Sequence, residues 1–130
     1  LFGGCPDGII PGENGYIMEI KCPEKMYPKL LNHIPTRKSQ NDIINYSHIY
    51  RNHYDQMQGD MAIFGKKNAI YCVFCEKSNL RYIEVIPYDE QYTREMFNLG
   101  NIFYQQKVQP LLGSKRPIDP QCPDYSSYLL

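Results

Sequence analysis

The chain carries no surplus of either charge: fourteen Lys and Arg balance fourteen Asp and Glu among 130 residues. No bulk positive field therefore draws in nucleic acid, and a polyanionic partner has to be met by a local patch. Long apolar runs are also missing. No stretch approaches the roughly 20 residues of a membrane-spanning helix. The opening "LFGGCPDGII" has neither the basic nor the apolar region of a secretory signal. No membrane partner is expected, and an intracellular protein is. The five cysteines are odd in number and irregularly spaced, which argues against a disulfide framework. The one local pair, Cys72 and Cys75, lies in a run that reads as a strand, where three positions apart places the thiols on opposite faces. No second Cys-x-x-Cys or nearby His pair offers the convergent ligands that zinc needs. Internal repeats are absent too.

What is present suits one modest globular domain over residues 1–130, with 42% hydrophobic and 13% aromatic content. The first residue is Leu1, and the residues after it read as the inside of a β-structure, so the chain is expected to be a piece of a longer one. Residues 4–10 and 15–21 read as strands joined by "PGENG", a hairpin signal, and Cys22-Pro23 closes the second strand. Residues 24–42 hold two prolines within "EKMYPKLLNHIPTRKSQND" and read as a short helical turn plus an exposed loop. In "SHIYRNHYDQMQGDMAIFG", Tyr50, Tyr54, Met57, Met61 and Phe64 form one apolar helical stripe, with Ser47 as N-cap and Gly65 as stop. Ile49, His53, Gln56 and Asp60 form a second, mostly polar stripe beside it.

Two further β-rich runs, "NAIYCVFCE" and "LRYIEVIPYD", read as a second hairpin across "KSN". A helix is expected in "DEQYTREMFNLGNIFYQQKV", with Tyr92, Met96, Leu99 and Phe103 on its apolar side and Asp89 and Glu90 at its start. Residues 107–130 are proline-rich and read as an irregular tail. The order β-β-(irregular)-α-β-β-α implies a mixed α/β (α+β) domain around a small central sheet.

The chemistry concentrates in "GYIMEIKCPEK". On a strand, Glu19 and Lys21 share a face, and Met18 and Ile20 are expected to point the other way into a core. If the first hairpin pairs, Asp7 of "CPDGII" lies near Glu19. Two carboxylates so placed repel unless a cation stands between them. A hard divalent ion, Mg²⁺ or Mn²⁺, takes such oxygen ligands, and Lys21 would orient or help deprotonate a water for attack on a phosphodiester. Each residue also has a plainer reading. Glu19 and Lys21 form a frequent kind of surface ion pair, Pro-Asp-Gly is a turn-former, and Gln56 and Gln58 can be ordinary exposed helix residues. His53 reads as a hydrogen-bonded boundary residue ahead of a general base. Lys66 and Lys67 in "GKKN" read as a solvated turn or as phosphate contacts.

Taken together, "PDG", then "EIKCP", then "YDQMQGDMAIFG" resembles the PD-(D/E)XK nuclease superfamily, and within it the lambda-exonuclease-like / YqaJ viral recombinase family. The resemblance covers about residues 3–75. It implies a restriction-endonuclease-like core, a small mixed sheet flanked by helices, with the family's N-terminal helices outside this chain. It implies Asp7, Glu19 and the carbonyl of Ile20 as metal ligands and Lys21 as the catalytic lysine. Gln58 is read as the glutamine at the catalytic centre, and Gln56, Lys66 and Lys67 as substrate contacts. The implied activity is Mg²⁺-dependent hydrolysis of double-stranded DNA from an end, in recombination or repair. A nuclease-derived module that binds nucleic acid or a partner without cutting, and a related nuclease acting on RNA, are the alternatives. Ring-shaped trimers occur in the family, so a homo-oligomer is compatible. The family's upstream helical acid has no counterpart in this chain.

Overall fold

The computed structural model describes residues 3–12, 15–32 and 46–113. The chain divides into two compact units, residues 1–96 and 97–130. In the first, strand β1 (Gly8–Ile10) pairs antiparallel with β2 (Tyr16–Lys21), placing Gly8 opposite Met18 and Ile10 opposite Tyr16. Helix α1 (Pro28–Leu31) and helix α2 (Arg51–Phe64) then precede β3 (Asn68–Cys75), which lies parallel to β2. Parallel neighbours need a long crossover, and α2 supplies its last leg. Strand β4 (Leu80–Pro87) returns antiparallel to β3, completing a four-stranded mixed sheet in the order β1-β2-β3-β4. The expected α+β class with a mixed sheet and flanking helices is what the chain adopts.

One sheet face carries the core. Burial alternates strictly along β3, with Ala69, Tyr71, Val73 and Cys75 inward, and Ile17, Tyr82 and Ile86 join them from the neighbouring strands. Met57 and Met61 of α2, with Met26, Leu30 and Ile49, close this layer. Cys72 and Cys75 fall on opposite faces, as period-two alternation requires. Helix α2 begins later than Ser47: Tyr50 is the extended residue before it and no side chain caps it. Gly65 ends it in the left-handed conformation with φ 62°, its amide bonded to the Met61 carbonyl. A four-residue turn, with the Asn79 amide on the Glu76 carbonyl and Asn79 at φ 52°, joins β3 to β4.

The orientation expected for β2 is corrected. Met18 and Ile20 do not enter the core. The buried side of β2 is the side of Ile17 and Glu19, while Ile20 is 40% exposed on the opposite face beside Ile83 at 63% and Val85 at 52%. The reason is α2, which packs Met57 and Met61 on this face and brings Gln56 to Glu19, so that the Glu19 carboxylate is covered while Lys21 stays partly in solvent. The expected helix after β4 forms as α3 (Glu90–Phe103); Thr93 is buried, and Leu99 and Phe103 of its apolar side are exposed. Asp89 does open this helix: its carboxylate accepts from the Tyr92 amide at 2.9 Å.

In the second unit the last turn of α3 runs into a π-helical turn (Tyr104–Val108) and α4 (Gln109–Gly113). Residues 107–113 are therefore helical and not an irregular tail; residues 114–130 of that expectation lie outside the described residues.

Candidate active site

Strand β2 and helix α2 bring Gln56 to Glu19 and Lys21, which lie some 35 residues earlier in the chain. Lys21 forms an ion pair with Glu19 Oε1. Gln56 Nε2 donates to Glu19 Oε2 at 2.8 Å, and Lys21 Nζ stands 3.4 Å from Gln56 Oε1. Glu19 is 1% exposed, whereas the Lys21 side chain keeps a quarter of its surface in solvent and Gln56 is exposed. The result is a buried carboxylate with a cation and an amide at its mouth.

Asp7 completes the acidic pair from the approach to β1. Its Oδ2 accepts from the Ile20 amide at 2.7 Å, extending the β1–β2 pairing past Gly8 by a side chain. Both main-chain polar groups of a strand residue point toward the same neighbour. The Ile20 carbonyl is thus aimed to the same side as its amide, beyond the end of β1, where the ladder offers no partner.

A further acid belongs here. Asp60, one turn beyond Gln56 on α2, is 3% exposed. Its Oδ2 and Glu19 Oε1 are the buried side-chain oxygens without a hydrogen bond among the described residues, although Oε1 has Lys21 as its ionic partner. Gly4 makes room for this carboxylate, since a Cβ there would overlap Asp60 Oδ1. Asp60 stands in the polar stripe that the sequence shows beside the apolar one, at four residues from Gln56. That spacing is the signal that could have singled it out.

Burial raises the Glu19 carboxyl above its ordinary range. Lys21 opposes the rise by hydrogen bond and charge, and Asp7 and Asp60 add to it. Asp60 is likewise raised, by burial first and by Asp7 second. The buried carboxylates of Glu19 and Asp60, the latter with Oδ2 unpartnered among the described residues, are the kind of oxygen donors a hard cation takes. As they lie, no three His, Cys, Asp or Glu side chains among the described residues converge tightly enough to enclose an ion by themselves.

Gln58, read from the sequence as the glutamine of the centre, lies elsewhere. It is fully buried, its Nε2 donates to the Pro87 carbonyl at 2.9 Å, and its Oε1 accepts from the Asp89 amide at 2.8 Å. It ties the end of β4 to the start of α3. Two residues along a helix is a turn of about 200°, so only one of the two glutamines can face Glu19, and it is Gln56.

Lys66 and Lys67 are also away from Lys21. Strands β2 and β3 run in parallel from Tyr16 beside Asn68 to Lys21 beside Val73, so the two lysines stand at the far end of the sheet. Lys66 Nζ lies against Gly15, and Lys67 Nζ sits 5.4 Å from the Tyr88 ring centre. The sheet separates them from Lys21 by at least roughly 16 Å at 3.3 Å per residue.

His53 is held as a boundary residue, its Nδ1 2.8 Å from the Tyr71 hydroxyl, and burial and then the Lys21 charge lower its pKa. At the β4 side of the same face, His48 Nε2 and the Tyr82 hydroxyl meet Glu84 Oε2 at 2.7 and 2.6 Å, a contact with no forewarning in the sequence. Among the described residues, no helix is long and apolar enough to cross a membrane. No family model, curated protein or solved structure matches this chain.

Proposed function

We propose that the chain is a metal-dependent nuclease of the lambda-exonuclease-like / YqaJ kind, acting inside the cell on the ends of double-stranded DNA. The observation that carries this reading is the convergence of Asp7, Glu19, Lys21 and Gln56 at one end of β2. A solvated ion pair would leave Glu19 in water; here the carboxylate is buried, with Oε1 paired to Lys21 and Oε2 to Gln56. Asp7, Glu19 and the Ile20 carbonyl would hold Mg²⁺ or Mn²⁺, which when bound supplies charge stabilisation on the phosphate.

The chain's own residues do the rest. Gln56 fixes Glu19 through Oε2, leaving Oε1 for the cation. Lys21, partly in solvent and within reach of Gln56, would hold and orient the attacking water on its ammonium group when Glu19 Oε1 is engaged by the cation. Digestion of linear duplex DNA, with matched RNA alongside, tests the reading: cleavage of DNA in Mg²⁺ that stops in EDTA supports it, and RNA cleaved in preference to DNA selects the RNA nuclease.

A second reading has an observation of its own. Lys21 already neutralises Glu19 and the Ile20 amide already occupies an Asp7 oxygen, so both acids have protein partners in the absence of metal. A nuclease-derived binding module satisfies that arrangement. Nucleic-acid binding that persists in EDTA, with no cleavage in Mg²⁺, selects this alternative.

A further inference from the structure

Asp60 has no assigned part in the site just described, yet it is placed to have one. It is 3% exposed, and its Oδ2 has no hydrogen-bond partner among the described residues. A buried carboxylate without a partner costs several kcal/mol in general, and proteins rarely retain one idly. Its position is bounded on two sides. One helical turn before it, Gln56 rests on Glu19, and across from it Gly4, three residues before Asp7, has no side chain that could displace its Oδ1. The carboxylate therefore stands between the lead into β1 and the acid of β2. The three acids nevertheless do not converge closely enough to enclose a bare ion. Mg²⁺ resolves the difference, because it sheds its water reluctantly and is bound through one or two carboxylates with several waters kept.

We infer that Asp60 is a third acid of this site, and that it takes up the water shell of a hydrated divalent cation while Asp7 and Glu19 face the ion itself. The inference rests on the metal-site reading above and adds the residue that sets affinity for the hydrated ion. Gly4 is part of the arrangement, since it keeps Asp60 within reach of that shell.

Calorimetric titration of the full chain with Mg²⁺, without nucleic acid, tests it. Asp60→Asn is expected to weaken Mg²⁺ binding about tenfold, and to melt higher than the unsubstituted chain in EDTA because a buried charge is gone. Gly4→Ala, which leaves the acid in place but pushes it aside, is expected to weaken binding in the same direction; it decides the matter if Asp60→Asn does not fold. Unchanged Mg²⁺ affinity in a folded Asp60→Asn chain, or in Gly4→Ala should that variant be needed, overturns the assignment of Asp60 and leaves Asp7 and Glu19 as the site. Absence of Mg²⁺ binding by the unsubstituted chain at millimolar concentration overturns the metal-site reading itself, and this inference with it.

Discussion

Gln56 donates to Glu19 Oε2 at 2.8 Å, while Gln58, two residues further along the same helix, is turned toward the Pro87 carbonyl and the Asp89 amide. The two glutamines thus serve different parts of the molecule, and substitution separates them. Gln58→Ala removes a fully buried side chain and both of its hydrogen bonds, to the Pro87 carbonyl and from the Asp89 amide, and is expected to cost about 2–4 kcal/mol of stability. Gln56→Ala removes an exposed amide and is expected to cost about 1 kcal/mol or less, yet to impair DNA cleavage. Urea denaturation and a cleavage assay on both variants check the crossed pattern.

The pH dependence of stability follows from Glu19 and Asp60, both raised by burial and by neighbouring acids. A carboxyl whose folded pKa exceeds its unfolded value binds more protons in the folded state. Its contribution is fully present below the ordinary carboxylate range near pH 4 and is lost as pH rises through the raised folded value. The groups facing the pair are Asp7, Lys21 and Gln56, of which only Lys21 offsets the charge. In EDTA, melting temperature is expected to fall more steeply as pH rises above the ordinary carboxylate range in the unsubstituted chain than in Glu19→Gln, and melting curves over a pH series measure the difference.

Tyr71 is fully buried and its hydroxyl meets His53 Nδ1 at 2.8 Å. Burial pushes the phenol well above its usual range, so it stays protonated at any working pH. Tyr71→Phe keeps the ring and removes the partner of a buried histidine, at an expected cost of about 1–2 kcal/mol. Because His53 is here a structural residue, Mg²⁺ affinity is expected to remain unchanged in this variant, and titration calorimetry checks that.

Much of this was readable from residue order. The alternation in "YIMEIK" places Glu19 with Lys21, and Cys22-Pro23 marks where β2 stops after Lys21. The Pro-Asp-Gly turn and "PGENG" put Asp7 across from Glu19 through the β1–β2 register. What could not be read was which face of β2 is covered. Charge suggests that the Glu19 side should be wet, but α2 brings Gln56 and Asp60 to meet it, and this depends on packing between residues about 40 apart in the chain. For the same reason the choice between Gln56 and Gln58 was open: their roles depend on how α2 is rotated over the sheet, which a stripe pattern fixes only to within a residue or two. That Lys66 and Lys67 stand at the opposite end of the sheet from Lys21 was likewise not legible, because it follows from the parallel register of β2 and β3.

The most direct test of the account is cleavage of linear double-stranded DNA in Mg²⁺ by the unsubstituted chain and by Lys21→Ala, with circular dichroism confirming that both are folded. The account predicts Mg²⁺-dependent degradation by the first and at least a hundredfold loss in the second, on the order of the contribution of one preorganised hydrogen-bond donor. Equal rates in the two chains would contradict it.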